Sequence, residues 1–216
     1  ETATTGRWNR MDPQPTAAQP GDDHTPAPGT ICWVTDGNAG TSLGDFDDDG
    51  YPDIYLSNFG PNILYHNNGD GSFSDVTSEM GVGREQVSDT IGAGVSFLDV
   101  DGDGDLDLYV GNYIRLDCAA HTPHTDNGFP ALPSPREYEP IPDTLYRNDG
   151  QVFTDASDTS GVALHAGRSM GLTSADIDND GDTDVFICND VMENFLMVND
   201  GTGFFQEAAL TAGTAL

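Results

Sequence analysis

The sequence predicts an all-β protein made of three similar four-stranded antiparallel units behind an extended N-terminal arm. Three observations lead there. One nine-residue acidic pattern occurs three times, as Asp45-Phe46-Asp47-Asp48-Asp49-Gly50-Tyr51-Pro52-Asp53, Asp99-Val100-Asp101-Gly102-Asp103-Gly104-Asp105-Leu106-Asp107 and Asp176-Ile177-Asp178-Asn179-Asp180-Gly181-Asp182-Thr183-Asp184. Each copy runs into a strand-length apolar stretch ending in Asn, at Asn58, Asn112 and Asn189. Finally, 26 Gly and 13 Pro in 216 residues favour short elements joined by turns over long helices.

The strands follow in order within each unit. Small and apolar residues alternate in Ala39–Gly44, Ala93–Leu98 and Met170–Ala175, ahead of each acidic loop. After the loop come Ile54–Asn58, Leu108–Asn112 and Val185–Asn189. Next are Asn62–Asn67, Asp143–Asn148 and Asn194–Asn199, each closed by an Asn-Gly or Asp-Gly turn. An aromatic then returns at Phe73, Phe153 and Phe204, with Gly81, Gly161 and Gly213 beyond it. Short β-rich runs bounded by such turns read as an antiparallel meander. Four strands at this period make a propeller-type blade, whereas solenoid coils hold fewer strands in shorter periods. The blades fall at about 38–82, 91–162 and 168–213 within a domain spanning 30–216, and the second carries an insertion over 115–142. Propellers typically close with about four to eight blades, so three describe a partial propeller or one completed by another molecule.

Within each loop, positions one, three, five and nine are Asp and position six is Gly, which tolerates the positive φ of a sharp turn. Alternate side chains aim their oxygens at one interior point, and the position-seven backbone carbonyl adds another, approaching the six to eight oxygens that calcium takes. The expected ligands are Asp45, Asp47, Asp49, Tyr51 and Asp53; Asp99, Asp101, Asp103, Asp105 and Asp107; and Asp176, Asp178, Asp180, Asp182 and Asp184. An EF-hand would need Glu at position twelve, where this chain has Leu56, Val110 and Ile187. Two carboxylates about 4 Å apart repel by roughly 4 kcal/mol at an effective dielectric near 20, so the expectation is one Ca2+ per loop. Magnesium, with its tight octahedron and retained waters, suits the set less well.

Charge and motifs exclude other classes. Seven Lys and Arg against 37 Asp and Glu give a formal net charge of -30, which repels nucleic acid and anionic membrane surfaces and attracts cations. No apolar run approaches the roughly 18 residues of a membrane span. Neither a GxSxG elbow, a P-loop nor an HExxH pair is present, so an enzyme is not expected. Cys32, Cys118 and Cys188 lie far apart, which suits one disulfide and one free thiol without naming the pair. The chain begins at Glu1 with neither an initiator Met nor an apolar leader, which suggests a processed or truncated chain.

At the acidic loops and the strands after them, the sequence resembles the FG-GAP or VCBS repeats of integrin α-subunit propellers and, more closely, secreted cartilage-acidic-protein-like propellers. The resemblance runs from about Ala39 to Gly213 and includes the exit of the insertion, Pro135–Pro140 to Asp143–Tyr146. It implies calcium in each blade hairpin, an extracellular setting, and adhesion or matrix roles. It also implies a second cysteine in the insertion, where this chain has Tyr138-Glu139.

Residues 1–29 are rich in Pro and Thr and are expected to be extended, with Trp8 and Met11 as apolar anchors and Ile31–Val34 as a candidate added strand. The Thr- and Pro-rich arm is also where O-linked sugar is expected, since no Asn-x-Ser/Thr sequon occurs. His121 and His124 in the insertion lack a third ligand nearby, so they make a poor transition-metal site. The sequence therefore points to a secreted, non-catalytic calcium-binding protein with a structural or adhesive role. It would self-associate into oligomers or filaments through open blade edges and the arm. The alternative is a piece of a larger propeller that recognises an extracellular protein or a glycan.

Overall fold

The computed structural model describes residues 40–84, 89–116, 124–126, 129–131, 133–150 and 152–215. They form three four-stranded antiparallel sheets, two short two-stranded pairings and two single-turn helices, Thr77–Met80 and Ala209–Ala212. The first sheet contains Gly40–Gly44, Asp53–Ser57, Ile63–Asn67 and Phe73–Asp75, hydrogen-bonded in that order. The second contains Thr90–Leu98, Asp107–Arg115, Thr144–Asn148 and Phe153–Asp155. The third contains Ser169–Ala175, Asp184–Asn189, Phe195–Asn199 and Phe205–Glu207. No helix among the described residues is long and apolar enough to cross a membrane.

Register repeats between sheets. The residue before each acidic loop pairs with position nine, as Gly44 with Asp53, Leu98 with Asp107 and Ala175 with Asp184, so every loop sits at the same hairpin. The last strand pairs Asn67 with Phe73, Asn148 with Phe153 and Asn199 with Phe205. This corrects the expectation of Phe204 as the closing aromatic. Side chains alternate faces along a strand, so one residue of slip reverses burial, and it is Phe205 that is buried while Phe204 is exposed.

The sheets stack face to face around two apolar cores. Phe46, Tyr55, Leu64 and Val82 of the first repeat meet Leu108, Val110, Tyr146 and Phe153 of the second. Val100, Tyr109, Leu145 and Val162 on the other face of the second repeat meet Val185, Ile187, Met197 and Phe205 of the third. The run Leu108-Tyr109-Val110 is apolar without interruption because its strand is covered on both faces. Each such side chain contributes about 1.5–3 kcal/mol on full burial.

Specific contacts fix how one sheet meets the next. A Cβ on Gly40 would lie 2.0 Å from the Ala93 carbonyl oxygen, and one on Gly94 would lie 2.9 Å from the Gly171 Cα. The first strands therefore meet backbone to backbone, an approach only glycine permits. At the loop end, Asn148 Nδ2 donates to the Phe46 carbonyl at 2.8 Å, and Asn199 Nδ2 donates to the Val100 carbonyl at 2.7 Å.

The insertion returns to the sheets through a short hairpin, His124–Asp126 with Phe129–Ala131, and a 3-10 turn at Pro135–Glu137. Arg168 holds its exit, donating from Nε to the Pro135 carbonyl and from Nη2 to the Tyr138 carbonyl. Beside it, the buried Asp143 accepts the Asn112 amide and the Ser169 hydroxyl, and burial pushes its carboxyl up to about 6.

Candidate metal centre

Each acidic loop is closed by its position-nine carboxylate. Asp53 accepts the Phe46 amide on Oδ2 at 3.0 Å and the Asn67 amide on Oδ1 at 2.8 Å. Asp107 does the same with Val100 and Asn148, and Asp184 with Ile177 and Asn199. All three carboxylates are fully buried, so one side chain ties the start of the loop to the end of the third strand. Charge-assisted bonds of this kind are stronger than neutral ones.

The remaining positions shape the loop. Position one accepts the amide of the position-six glycine, from Asp45 to Gly50 at 2.9 Å, Asp99 to Gly104 at 3.1 Å and Asp176 to Gly181 at 3.2 Å. Those glycines have φ of 91°, 98° and 103°, the left-handed region that glycine enters without steric cost. Position four is left-handed as well, at Asp48, Gly102 and Asn179. Only residues tolerant of that region stand there, a signal the spacing of the carboxylates did not bring out. Position five, at Asp49, Asp103 and Asp180, accepts the amide of position seven. The side chains of Tyr51, Asp105 and Asp182 at position seven lean on Gly69, Gly150 and Gly201 of the neighbouring turn.

Positions one, three and nine converge. Carboxylate oxygens of Asp45, Asp47 and Asp53, of Asp99, Asp101 and Asp107, and of Asp176, Asp178 and Asp184 lie within 4.8 Å of one another in each loop. Asp103 and Asp180 stand outside these groups, and Asp49 joins a different one with Asp47 and His66. Asp101 Oδ1 is buried with no hydrogen-bond donor, and a carboxylate oxygen left so is costly unless a cation meets it. Burial and the neighbouring Asp103 carboxylate raise the Asp101 carboxyl above its ordinary range. Three all-oxygen sets with one buried member each fit a hard divalent cation.

A family model described as FG-GAP-like repeat matches residues 45–110, which contain the first two loops and the strands between them. Residues 45–110 are FG-GAP-like. Such repeats imply propeller-type blades, and the four-stranded antiparallel sheets fit that form. Cartilage acidic protein 1 from Homo sapiens is 37% identical over 78 residues, 36% of this chain and 11% of that protein. The Xenopus tropicalis protein of the same name is 37% identical over 78 residues, covering 36% and 12%, and the Mus musculus protein is 34% identical over 88 residues, covering 38% and 13%. The chain thus matches a small part of the length of these relatives. An Agrocybe aegerita protein, whose structure is titled for recognition of terminal N-acetylglucosamine, aligns over 76% of this chain and 49% of its own at 17% identity, with a TM-score of 0.27. A score that low supports nothing about fold or ligand.

The three acidic loops differ in what stands over them. In the first, His66 Nδ1 lies 3.4 Å from Asp47 Oδ2 and 3.3 Å from Asp53 Oδ1. In the second, the corresponding residue is Arg147, which pairs with Asp149 and also feels the charges of Asp101 and Asp107. In the third it is the uncharged Val198. Burial pushes the Asp107 carboxyl up to about 7 against the opposing pull of its two backbone bonds, with Asp101 and Asp103 adding to the rise. Burial followed by neighbouring carboxylates also raises Asp178 and Asp182 in the third loop.

Cys188 is exposed with a free thiol. Cys32, Cys118, Trp8, Met11, Ile31–Val34, His121 and the arm over 1–29 lie outside the described residues.

Proposed function

We propose that the chain is a secreted, non-catalytic calcium-binding repeat protein with an extracellular structural or adhesive role, holding one Ca2+ in each of its three acidic loops. The observation that carries this reading is the threefold convergence of carboxylates at positions one, three and nine, with Asp101 Oδ1 buried and undonated in the middle copy. Binding would draw in the position-five carboxylates of Asp49, Asp103 and Asp180, which stand outside these groups, and the backbone carbonyls of Tyr51, Asp105 and Asp182. Bound calcium offsets the repulsion among the carboxylates and stabilises the hairpin from which each sheet starts.

Extracellular calcium modules work at dissociation constants of about 10⁻⁴–10⁻³ M, which suits loops this exposed at positions four to six. The similarity to cartilage acidic protein 1 supports the extracellular setting. A non-catalytic role follows from the use of the carboxylates, since those held by two backbone amides or committed to an ion are poor general acids. Self-association through open blade edges and the arm over 1–29 supplies the structural role.

Calorimetric titration of calcium into chelator-stripped protein tests the reading. The expected result is three binding equivalents, with Asp101→Asn losing one and lowering the calcium-dependent part of the thermal midpoint. The absence of binding up to several times the roughly millimolar level of the weakest extracellular modules contradicts it.

A further inference from the structure

We infer that the first repeat carries a transition-metal site, built by His66 with Asp47 and Asp49, which takes a divalent cation of the zinc class. The site goes beyond the calcium reading and does not require it.

The donor set is the first observation. One ring nitrogen of His66 and one carboxylate oxygen each from Asp47 and Asp49 lie within 4.8 Å of one another. Calcium and magnesium are hard ions that take oxygen ligands, so an imidazole in the set points to a different metal. Imidazole suits zinc, copper, iron and nickel, and zinc accepts histidine nitrogen together with carboxylate oxygen. Donor atoms around a tetrahedral zinc stand about 3.3–3.5 Å apart. His66 Nδ1 is 3.4 Å from Asp47 Oδ2, and Nε2 is 3.8 Å from Asp49 Oδ2. Asp47 and Asp49 are exposed, which leaves the fourth position of the ion to water or to a ligand from solution.

The second observation is the state of the ring. His66 Nδ1 is buried and forms no hydrogen bond, although Asp53 Oδ1 lies 3.3 Å away. A buried polar atom left without a partner is costly, and a bound ion removes that cost by either ring nitrogen. If Nδ1 takes the ion, it is used directly. If Nε2 takes it, Nδ1 carries the proton and faces Asp53 and Asp47, the carboxylate support that metal-bound histidines commonly have. Phe46 packs at 76° to the imidazole with the ring centroids 6.2 Å apart, which holds the ring over the loop.

The third observation is that the nitrogen belongs to one repeat. Asp101 and Asp103, and Asp178 and Asp180, hold the same loop positions as Asp47 and Asp49, so the carboxylates recur. The residue above them does not. Arg147 stands there in the second repeat, a cation with no lone pair to offer, and Val198 in the third has no donor atom. The ring therefore sets the first loop apart from two others of nearly the same carboxylate pattern. Asp47 is also a member of the group it forms with Asp45 and Asp53, so zinc competes with calcium at the first loop alone.

Zinc titration of the chelator-stripped 216-residue protein tests the inference, read by calorimetry and by nitrogen NMR of the histidine rings. One zinc equivalent is expected to shift the ring nitrogens of His66. His66→Gln is expected to weaken that equivalent by more than about 100-fold, beyond the roughly 10–100-fold that loss of an outer-shell partner costs. Asp49→Asn keeps an oxygen for the Tyr51 amide, so it should leave the fold intact by circular dichroism and weaken zinc at least about tenfold. Changing His121 and His124 together to Gln should leave the equivalent in place. His66 resonances that stay put in excess zinc, a His66→Gln protein that binds zinc as tightly as the wild type, or an equivalent lost with His121 and His124 instead overturns the inference. Calcium titration of the same samples keeps the two readings apart. Calcium binding with no zinc at His66 sinks this site alone, and zinc at His66 with no calcium binding sinks the calcium reading alone.

Discussion

The carboxylate of Asp107 accepts the backbone amide of Asn148 at 2.7 Å across 41 residues of chain. Because the other oxygen of Asp107 takes the Val100 amide, this side chain organises the loop before any ion arrives. Position nine therefore has a part in the fold that position three does not share.

That division is measurable. Asp107→Ala is expected to lose about 1–3 kcal/mol or more in chelator, since two buried amides are left without acceptors. Asp101→Asn should be close to neutral in chelator and lose stability only relative to the calcium-loaded wild type. Chemical denaturation of both variants with and without calcium checks this, and equal losses in chelator would contradict it.

Stability of the calcium-free protein should depend on pH in an unusual direction. Asp107 is raised by burial from an ordinary carboxyl value to about 7 in the folded state, so the folded protein holds this proton where the unfolded chain has released it. The stabilising contribution is full below the unfolded value near 4, declines as pH climbs, and is lost through about 7. Calcium binds the ionised form, so it should flatten this decline and release protons near neutral pH. Thermal midpoints from pH 4 to 8 in chelator and in calcium provide the check.

The three loops should not bind equally. Arg147 places a positive charge near Asp101 and Asp107, whereas Val198 stands at the corresponding place in the third repeat. Arg147→Gln is expected to raise second-loop calcium affinity about two- to fivefold, the scale of an exposed charge interaction. Calorimetry in low salt should show the gain, and it should shrink as salt is added.

Glycine substitutions should separate Gly94, inside a sheet interface, from Gly171. Gly94→Ala drives a methyl into the Gly171 backbone, and overpacking of that kind typically costs about 1–3 kcal/mol. Gly171→Ala meets nothing within 4 Å among the described residues and should leave the midpoint unchanged.

Much of this fold was legible in the sequence because its determinants repeat. The Asp spacing, the apolar run after each loop and the Asn-Gly or Asp-Gly turns locate three hairpins and four strands per repeat without any long-range information. What escaped was set by partners distant in the chain. Spacing alone makes Asp53, Asp107 and Asp184 resemble the other ligands, and only their pairing with Asn67, Asn148 and Asn199 shows that they bracket the loop. Likewise, Asn148 and Asn199 read as turn residues until Phe46 and Val100 come under them. Phe204 and Phe205 are adjacent aromatics, and strand register alone chooses between them. His66 and Arg147 sit in strands, outside any ligand pattern, and reach the loops only because the hairpins fold back.

The most direct test is anomalous diffraction from crystals grown with calcium. Three peaks are expected, each within coordination distance, about 2.3–2.6 Å, of the oxygens at positions one and three of one loop and beside its buried position-nine Asp. Well-ordered loops lacking such peaks at saturating calcium would contradict the account, because carboxylates packed this closely would then be held by the backbone amides alone.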